Sequence, residues 1–325
     1  MDKRLLTPPP FVYGGVGIMG SLIKNKPYLW FILPGFILYS IFIIYPIFSA
    51  AELSLFHSNG FGSKTFVGLE NYRELFTNPE LKRQFFNALK NNLILVVLNV
   101  GLLIPIQLYF AYVIYTRVKG YRFFQTMIFA PQFITTSVIV FLATLVFDQN
   151  IGIFNELLVK IGLGDHVRNW LGVPGYELVT LFLINAWAGV GFSMIYFVAA
   201  MKMLSDEVME ASYLDGAGYW RRFFLIIIPQ IRASIVNIAV ISYIAAMTTF
   251  DFSYLLGGTS GGIGNKMDVM TLFFYRITFG TNGAMGGSVS SNSVGMGTTI
   301  ACVMFAIIFL VALLQLKLSY RKEDH

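Results

Sequence analysis

The chain has 325 residues, of which 56% are hydrophobic and only 12% charged, with a mean hydropathy of +0.68. Soluble domains carry about 25% charged residues, so in water this chain would present a largely apolar surface; a large soluble α/β enzyme and a disordered polymer are both excluded. The net charge of +6 is not gathered into one basic face, which argues against a nucleic-acid binder. The single cysteine, Cys302, excludes internal disulfides and cysteine-cluster metal sites, and His57, His166 and His325 lie too far apart to suggest a metal centre.

Taken in chain order, the first 27 residues read as a cytoplasmic segment. Within them Gly15-Val16-Gly17-Ile18-Met19-Gly20 matches the dinucleotide fingerprint G-x-G-x-x-G. Lys24 and Pro27 follow at once and the next acid is Glu52, so the strand–turn–helix context that motif needs is missing. Six uncharged or nearly uncharged runs then follow, at about 28–51, 93–116, 123–147, 178–201, 233–256 and 298–318. A helix needs about 20 apolar residues to cross the hydrocarbon of a bilayer. Barrel strands would be ~10 residues long with alternating polarity, and these runs are apolar on every face. The first run is longer than the core of a signal peptide, which favours a retained span over cleavage near Ser49-Ala50-Ala51. The expectation is an all-α polytopic membrane protein with six spans over 28–318 and a short tail, 319–325. With the N-terminus inside, the inner segments hold 14 Lys and Arg in 77 residues against 9 in 112 outside, so both termini are expected in the cytoplasm.

Between the fourth and fifth runs lies the most informative segment, Ser205 to Pro229. Ser205 is a good N-cap, and Asp206 and Glu207 sit where the helix dipole favours anions. A first short helix should reach about Leu214 and break at Asp215-Gly216-Ala217-Gly218. A second, about 219–227, should stop near Pro229. The product is a helix–turn–helix along the membrane surface, a compact knob for a partner's groove.

The run Glu210-Ala211-Ser212-x-x-Asp215-Gly216-Ala217, followed by Gly218, Phe223 and Ile228-Pro229, resembles the EAA loop of inner-membrane permeases from binding-protein-dependent ABC importers. Ser212 stands where that family usually has a second alanine. The segment Phe66-Val67-Gly68-Leu69-Glu70-Asn71-Tyr72-Arg73-Glu74-Leu75-Phe76 is similar to the first outer-loop signature of the carbohydrate branch, the permeases for oligosaccharides and glycerol phosphate. Gly152-Ile153-Phe154-Asn155 and Phe250-Asp251 with Gly257-Gly258 fall where that branch has similar residues. The branch often has Gly-Gly-Pro after the fifth span; here Gly257-Gly258-Thr259-Ser260-Gly261-Gly262 lacks the proline, and a looser or differently shaped outer gate is expected.

The resemblance implies a transport subunit and not an enzyme. A second permease, expected to be unlike this one, would pair with it. Two cytoplasmic ATPase subunits would each receive one EAA loop, and an external solute-binding protein would deliver a sugar or oligosaccharide. ATP and magnesium would belong to the ATPases, with no cofactor and no metal on this chain, and the location would be the inner membrane of a bacterium or archaeon. The chain carries no G-x-x-x-x-G-K-[ST] phosphate loop of its own.

For the substrate path, Asp251 is the one ionisable residue well inside an expected span, a placement that normally means a cavity or a partner. Asn185, Trp187 and Tyr254 join it as path candidates; Asn99, Gln107 and Asn237 are further polar residues at depth, each also explicable as interhelical glue. Two rivals follow from the same residues. An ion-coupled secondary transporter of a small polar solute would use Asp251 as its coupling site, but would need inverted repeats and usually more spans. A membrane enzyme would need a surface cluster richer than Asp206, Glu207 and Glu210, which no histidine accompanies.

Overall fold

The computed structural model describes residues 27–60, 62–172, 175–280 and 293–320. The segment 1–26 with its glycine motif, most of the Gly/Ser stretch 281–297 and the end of the tail lie outside the described residues. The chain divides into two units, residues 1–49 and 50–325. The described part of the first is one helical run whose apolar side chains are exposed, with Phe31 at 83% and Phe42 at 69%, as lipid permits and water does not.

In chain order the elements are α1 (Phe31–Leu53), a two-stranded antiparallel ribbon of β1 (Phe56–His57) and β2 (Thr65–Phe66), α2 (Glu70–Thr77), α3 (Pro79–Tyr115), α4 (Tyr121–Phe133), α5 (Thr136–Val146), α6 (Ile153–Lys160), α7 (Glu177–Lys202), α8 (Asp206–Leu214), α9 (Tyr219–Arg222), α10 (Arg232–Gly257), α11 (Met270–Phe279) and α12 (Ser293–Tyr320). Among the described residues, α1, α3, α7, α10 and α12 are each long and apolar enough to cross a membrane, and α4 with α5 makes a sixth crossing if the bent pair counts as one span. The expected all-α architecture is therefore present, with five or six candidate crossings and two differences from expectation.

The first difference is the third run, expected as a single span. It bends by 107° between α4 and α5. Ala130–Phe133 tightens to a 3₁₀ turn around Pro131, and Ile134 and Thr135 are extended. Proline lacks the N–H that a continuing helix needs and pushes its neighbours out of helical geometry. Close by, α4 lies against α7 at Gly191, where a Cβ would sit 2.7 Å from the Phe129 Cα.

The second difference concerns residues 71–90, whose acidic and basic residues alternate with aromatics and so read in the sequence as a short, solvated helix pair. Only α2 is short. The next helix starts at Pro79, with the Asn78 side chain accepting from the Glu80 and Leu81 amides, and runs without a break into the second span. Nor is the pair simply solvated: Leu75, Phe85 and Ala88 are buried with Met296 and Ile300 of α12 and with Met270 and Phe273 of α11.

Among the described residues three π turns interrupt the helices, at Ser40–Ile44, Asn99–Leu103 and Phe223–Ile227. Each is followed, two residues past its end, by a proline: Pro46, Pro105 and Pro229. A proline ring clashes with the carbonyl four residues back and cannot donate to it. The wider turn draws that carbonyl aside, and the amide before each proline bonds five residues back, as Ile104 does to Asn99 and Ile228 to Phe223. The helix–turn–helix of residues 205–229, the elbow, stops near Pro229 as expected: its second arm runs through the π turn to Gln230.

Packing centres on α3 and α7. One cluster joins Leu108, Ala111 and Tyr112 of α3 to Met194, Phe197 and Met201 of α7 and to Met209, Phe223 and Ile227 of the elbow. A second joins Leu95 and Leu103 to Leu181, Ala246 and Met267.

Candidate functional site

The elbow between α7 and α10 is built by two local devices. Its turn is a Schellman motif: the Gly216 amide bonds the Tyr213 carbonyl at 3.1 Å and the Ala217 amide bonds the Ser212 carbonyl at 3.0 Å. The motif puts Gly216 at φ +67°, a conformation that glycine adopts without strain. Asp215 occupies the cap and Gly218 begins the second arm. Ser212 is buried and its hydroxyl donates to the Met209 carbonyl at 2.6 Å, so the hydroxyl that departs from the alanine pattern is satisfied within its own helix. Ser205 sits at the N-cap as expected, but its side chain makes no capping bond.

The second device ties the elbow to the membrane helices. Phe223 is buried and stacks on Tyr112 of α3, with ring centroids 4.8 Å apart and planes within 19°. The Tyr112 hydroxyl donates to the Tyr219 carbonyl at 2.9 Å. Tyr112 was missed in the sequence, where it is one aromatic among several in an apolar run. What the anchor leaves free is the tip: Glu210, Ala211, Asp215, Gly216 and Gly218 are exposed, Ala217 is half-buried among them, and Leu214 is 89% exposed; Pro229 lies at the far end of the second arm. Arg222 lies 3.9 Å over the Tyr213 ring and stiffens the tip from one arm to the other.

A second feature is a cavity of about 240 Å³ between α3, α4, α7 and α10. Asn99, Gln107, Gln132, Asn185, Ser193, Ser242 and Thr249 line it with Phe182, Phe192 and aliphatic residues. Of the four path candidates only Asn185 lies here. Asp251 is exposed at the first turn of the last segment of α10, and Tyr254 stacks with Phe250 at 5.2 Å, both outside the cavity lining. Trp187 lies in an apolar surface groove with Ile139 and Phe147. Asn99 and Gln107 do reach the cavity, and Asn237 is exposed elsewhere. Gln132 had one signal, Pro131 beside it: the bend that interrupts the third span is what brings Gln132 to the cavity wall.

A third feature clasps the segment after α10. The amides of Asn87, Asn91 and Asn92 reach across from α3: Asn87 donates to the Asn265 carbonyl at 2.8 Å, Asn91 to the Asp268 carbonyl at 2.8 Å, and Asn92 to the Ala246 carbonyl at 2.7 Å while accepting from the Met270 amide at 2.8 Å. Arg276 makes a buried, two-pronged ion pair with Asp268 at 2.7 and 3.1 Å and also donates to the Thr259 carbonyl and the Gln84 side chain. Burial pushes the Asp268 carboxyl above the ordinary carboxylate range, with the Arg276 guanidinium pulling the other way. Without its proline this segment was expected to be looser or differently shaped. It is tightly folded: Gly262 bonds the Gly257 carbonyl at 2.7 Å and Met267 the Gly261 carbonyl at 2.8 Å. At Gly261, φ +71°, a Cβ would sit 2.6 Å from the Asp268 Cα.

Among the described residues no group of three His, Cys, Asp or Glu is placed to hold a metal ion.

Residues 84–323 match the family described as the binding-protein-dependent transport system inner membrane component. The chain belongs to this family. It is 32% identical over 299 residues to the probable ABC transporter permease protein YurN of Bacillus subtilis, covering 90% of this chain and 96% of that one. It is 30% identical over 300 residues to the arabinooligosaccharide transport system permease AraP of the same organism, covering 91% and 89%. A solved bacterial ABC transporter, involved in the import of the acidic polysaccharide alginate, shares the fold with a TM-score of 0.75 at 23% identity over 90% of this chain and 95% of that one. The chain is thus an inner-membrane component of a binding-protein-dependent transport system.

Proposed function

We propose that this chain is one of two unlike permease subunits of an ABC importer that carries a sugar or oligosaccharide. The observation that carries the reading is the elbow, anchored into the membrane helices through Tyr112 and Phe223 and bare at Leu214, in a chain whose family is defined by transport. The elbow docks on a cytoplasmic ATPase subunit, one ATPase copy per permease. ATP and magnesium bind there; Glu210–Gly218 transmits motion and does no chemistry. An external solute-binding protein delivers the solute to the opposite face. Both termini lie in the cytoplasm, in keeping with the Lys and Arg bias of the loops, and the membrane is the inner membrane of a bacterial or archaeal cell. Support for a saccharide comes from relatives such as AraP, and the cavity lined by Asn185, Gln107 and their neighbours is the passage between the two faces.

The mechanical part of this proposal follows from rigidity. An elbow that hung free would absorb a partner's movement. This one is stacked on α3 and packed against α7, so a push at Leu214 rotates both helices that wall the cavity. Co-purification tests the reading: the tagged chain should bring down a second permease and an ATPase in stoichiometric amounts. Substrate-stimulated ATP hydrolysis by that assembly should be lost in Gly216→Asp with the chain still in the membrane. Saccharide-independent solute uptake by this chain alone in liposomes under an ion gradient would overturn it.

A further inference from the structure

We infer that the cavity between α3, α4, α7 and α10 selects uncharged, polyhydroxylated solutes and rejects acidic ones, with Gln107 as a specificity-determining residue. The inference rests on the sugar-import reading above and deepens it. The family alone does not decide the point, because the same fold also serves an importer of an acidic polysaccharide.

The lining is the first observation. Among the described residues, four carboxamides, Asn99, Gln107, Gln132 and Asn185, and three hydroxyls, Ser193, Ser242 and Thr249, face the cavity, and no lysine, arginine, histidine or acid does. Moving an ionised carboxylate into a site without a cation costs far more than moving a hydroxyl that finds a partner. Carboxamides and hydroxyls both donate and accept, as sugar hydroxyls do, and they pair with them in either sense. Phe182 and Phe192 supply apolar faces for the C–H side of a ring.

The second observation is independent of the lining. Gln107 is 98% buried, and its Oε1 makes no hydrogen bond within the chain. Buried side-chain polar atoms are nearly always paired; this oxygen is closed off as the side chain stands, and a turn of the carboxamide toward the cavity that Gln107 lines would give it a partner. Only a donor satisfies it. A sugar hydroxyl donates; a carboxylate can only accept. The orphan atom and the charge-free lining therefore favour the same solute class.

Saturation-transfer NMR on the purified permease–ATPase assembly in nanodiscs, with the binding protein omitted, tests this directly and tolerates weak binding. Lactose, maltose and arabinotriose serve as neutral probes and an alginate trisaccharide as the acidic one. At least one neutral probe should receive saturation and the acidic probe none. Gln107→Leu, nearly the same size, should weaken the neutral signal about fivefold, the size of one neutral hydrogen bond. Asn185→Lys, which places a cation on the same wall, should gain a signal for the alginate trisaccharide, and this gain cannot come from misfolding. Equal saturation of the acidic probe in the wild type, or an undiminished neutral signal in Gln107→Leu, would overturn the inference while leaving sugar import standing. Cells that take up neither neutral nor acidic saccharides through the whole assembly would overturn the import reading beneath it.

Discussion

Helix α3 carries carboxamides at two levels, and the two sets have opposite fates. In its N-terminal part, Asn87, Asn91 and Asn92 place their amides on carbonyls or amides of residues 246–270, and Gln84 accepts from Arg276. Further along the same helix, Asn99 bonds only its own backbone at Leu95, and the Gln107 oxygen bonds nothing in the chain. A residue type alone therefore does not announce a role. The amides that bond residues 246–270 are structural, fastening one loop to one helix; Asn99 and Gln107 line the cavity.

Breaking the clasp should have the largest effect. Arg276→Met strands the Asp268 carboxylate, which is fully buried, and should cost about 3–5 kcal/mol in thermal or chemical unfolding of the detergent-solubilised protein. Pairing it with Asp268→Leu should recover most of that loss, since a matched apolar pair leaves no buried charge. Next comes the direct contrast between the two amide levels. Asn91→Leu removes the donor to the Asp268 carbonyl and should destabilise by about 1–3 kcal/mol, whereas Gln107→Leu removes an acceptor that had no partner and should leave stability unchanged or slightly raised. If both substitutions cost the same, the division between fastening and recognition is wrong.

Smaller effects are expected outside both regions. Asp251→Ala should leave uptake within about twofold of the wild type, because the exposed carboxylate is a surface charge whose loss usually matters little; a tenfold loss would return Asp251 to the substrate path. The smallest effect concerns Asp148 in the loop after α5. The Asn150 and Ile151 amides donate to its carboxylate at 2.8 and 3.0 Å and hold it below the usual carboxylate range. Its folded value is depressed, so its stabilising contribution is present above the ordinary carboxylate range and fades as pH falls through the lower folded value. Asp148→Asn should flatten a small part of the acid limb of the stability profile.

How much of this could be read from the residues alone depended on whether the signal was local. The spans were legible because the cost of burying charge in hydrocarbon keeps long stretches free of it. The break at Asp215–Gly218 was legible because a Schellman turn has its own residue chemistry. The bend at Ile134–Thr135 was masked by an unbroken apolar run, although Pro131 stood inside it. The start of α3 at Pro79 was obscured by its charged first turns, which look like a solvated helix until the clasp gives them something to hold. The missing proline after Gly258 suggested a looser or differently shaped gate; the tightness found there comes from Asn91, Asn92 and Arg276, far along the chain, and no local pattern carries that. Asp251 read as lying inside a span because its neighbours are apolar; it stands just after a helix break at 248–250 and is exposed.

The central claim is that the elbow faces the cytoplasm and hands a partner's motion to the membrane helices. The most direct measurement places one cysteine at Leu214, in a chain with Cys302→Ser, and treats cells with a maleimide that cannot cross membranes. The account predicts no labelling of intact cells, full labelling after permeabilisation, and protection of the site when the ATPase is assembled. Labelling of Leu214→Cys from outside intact cells would contradict it.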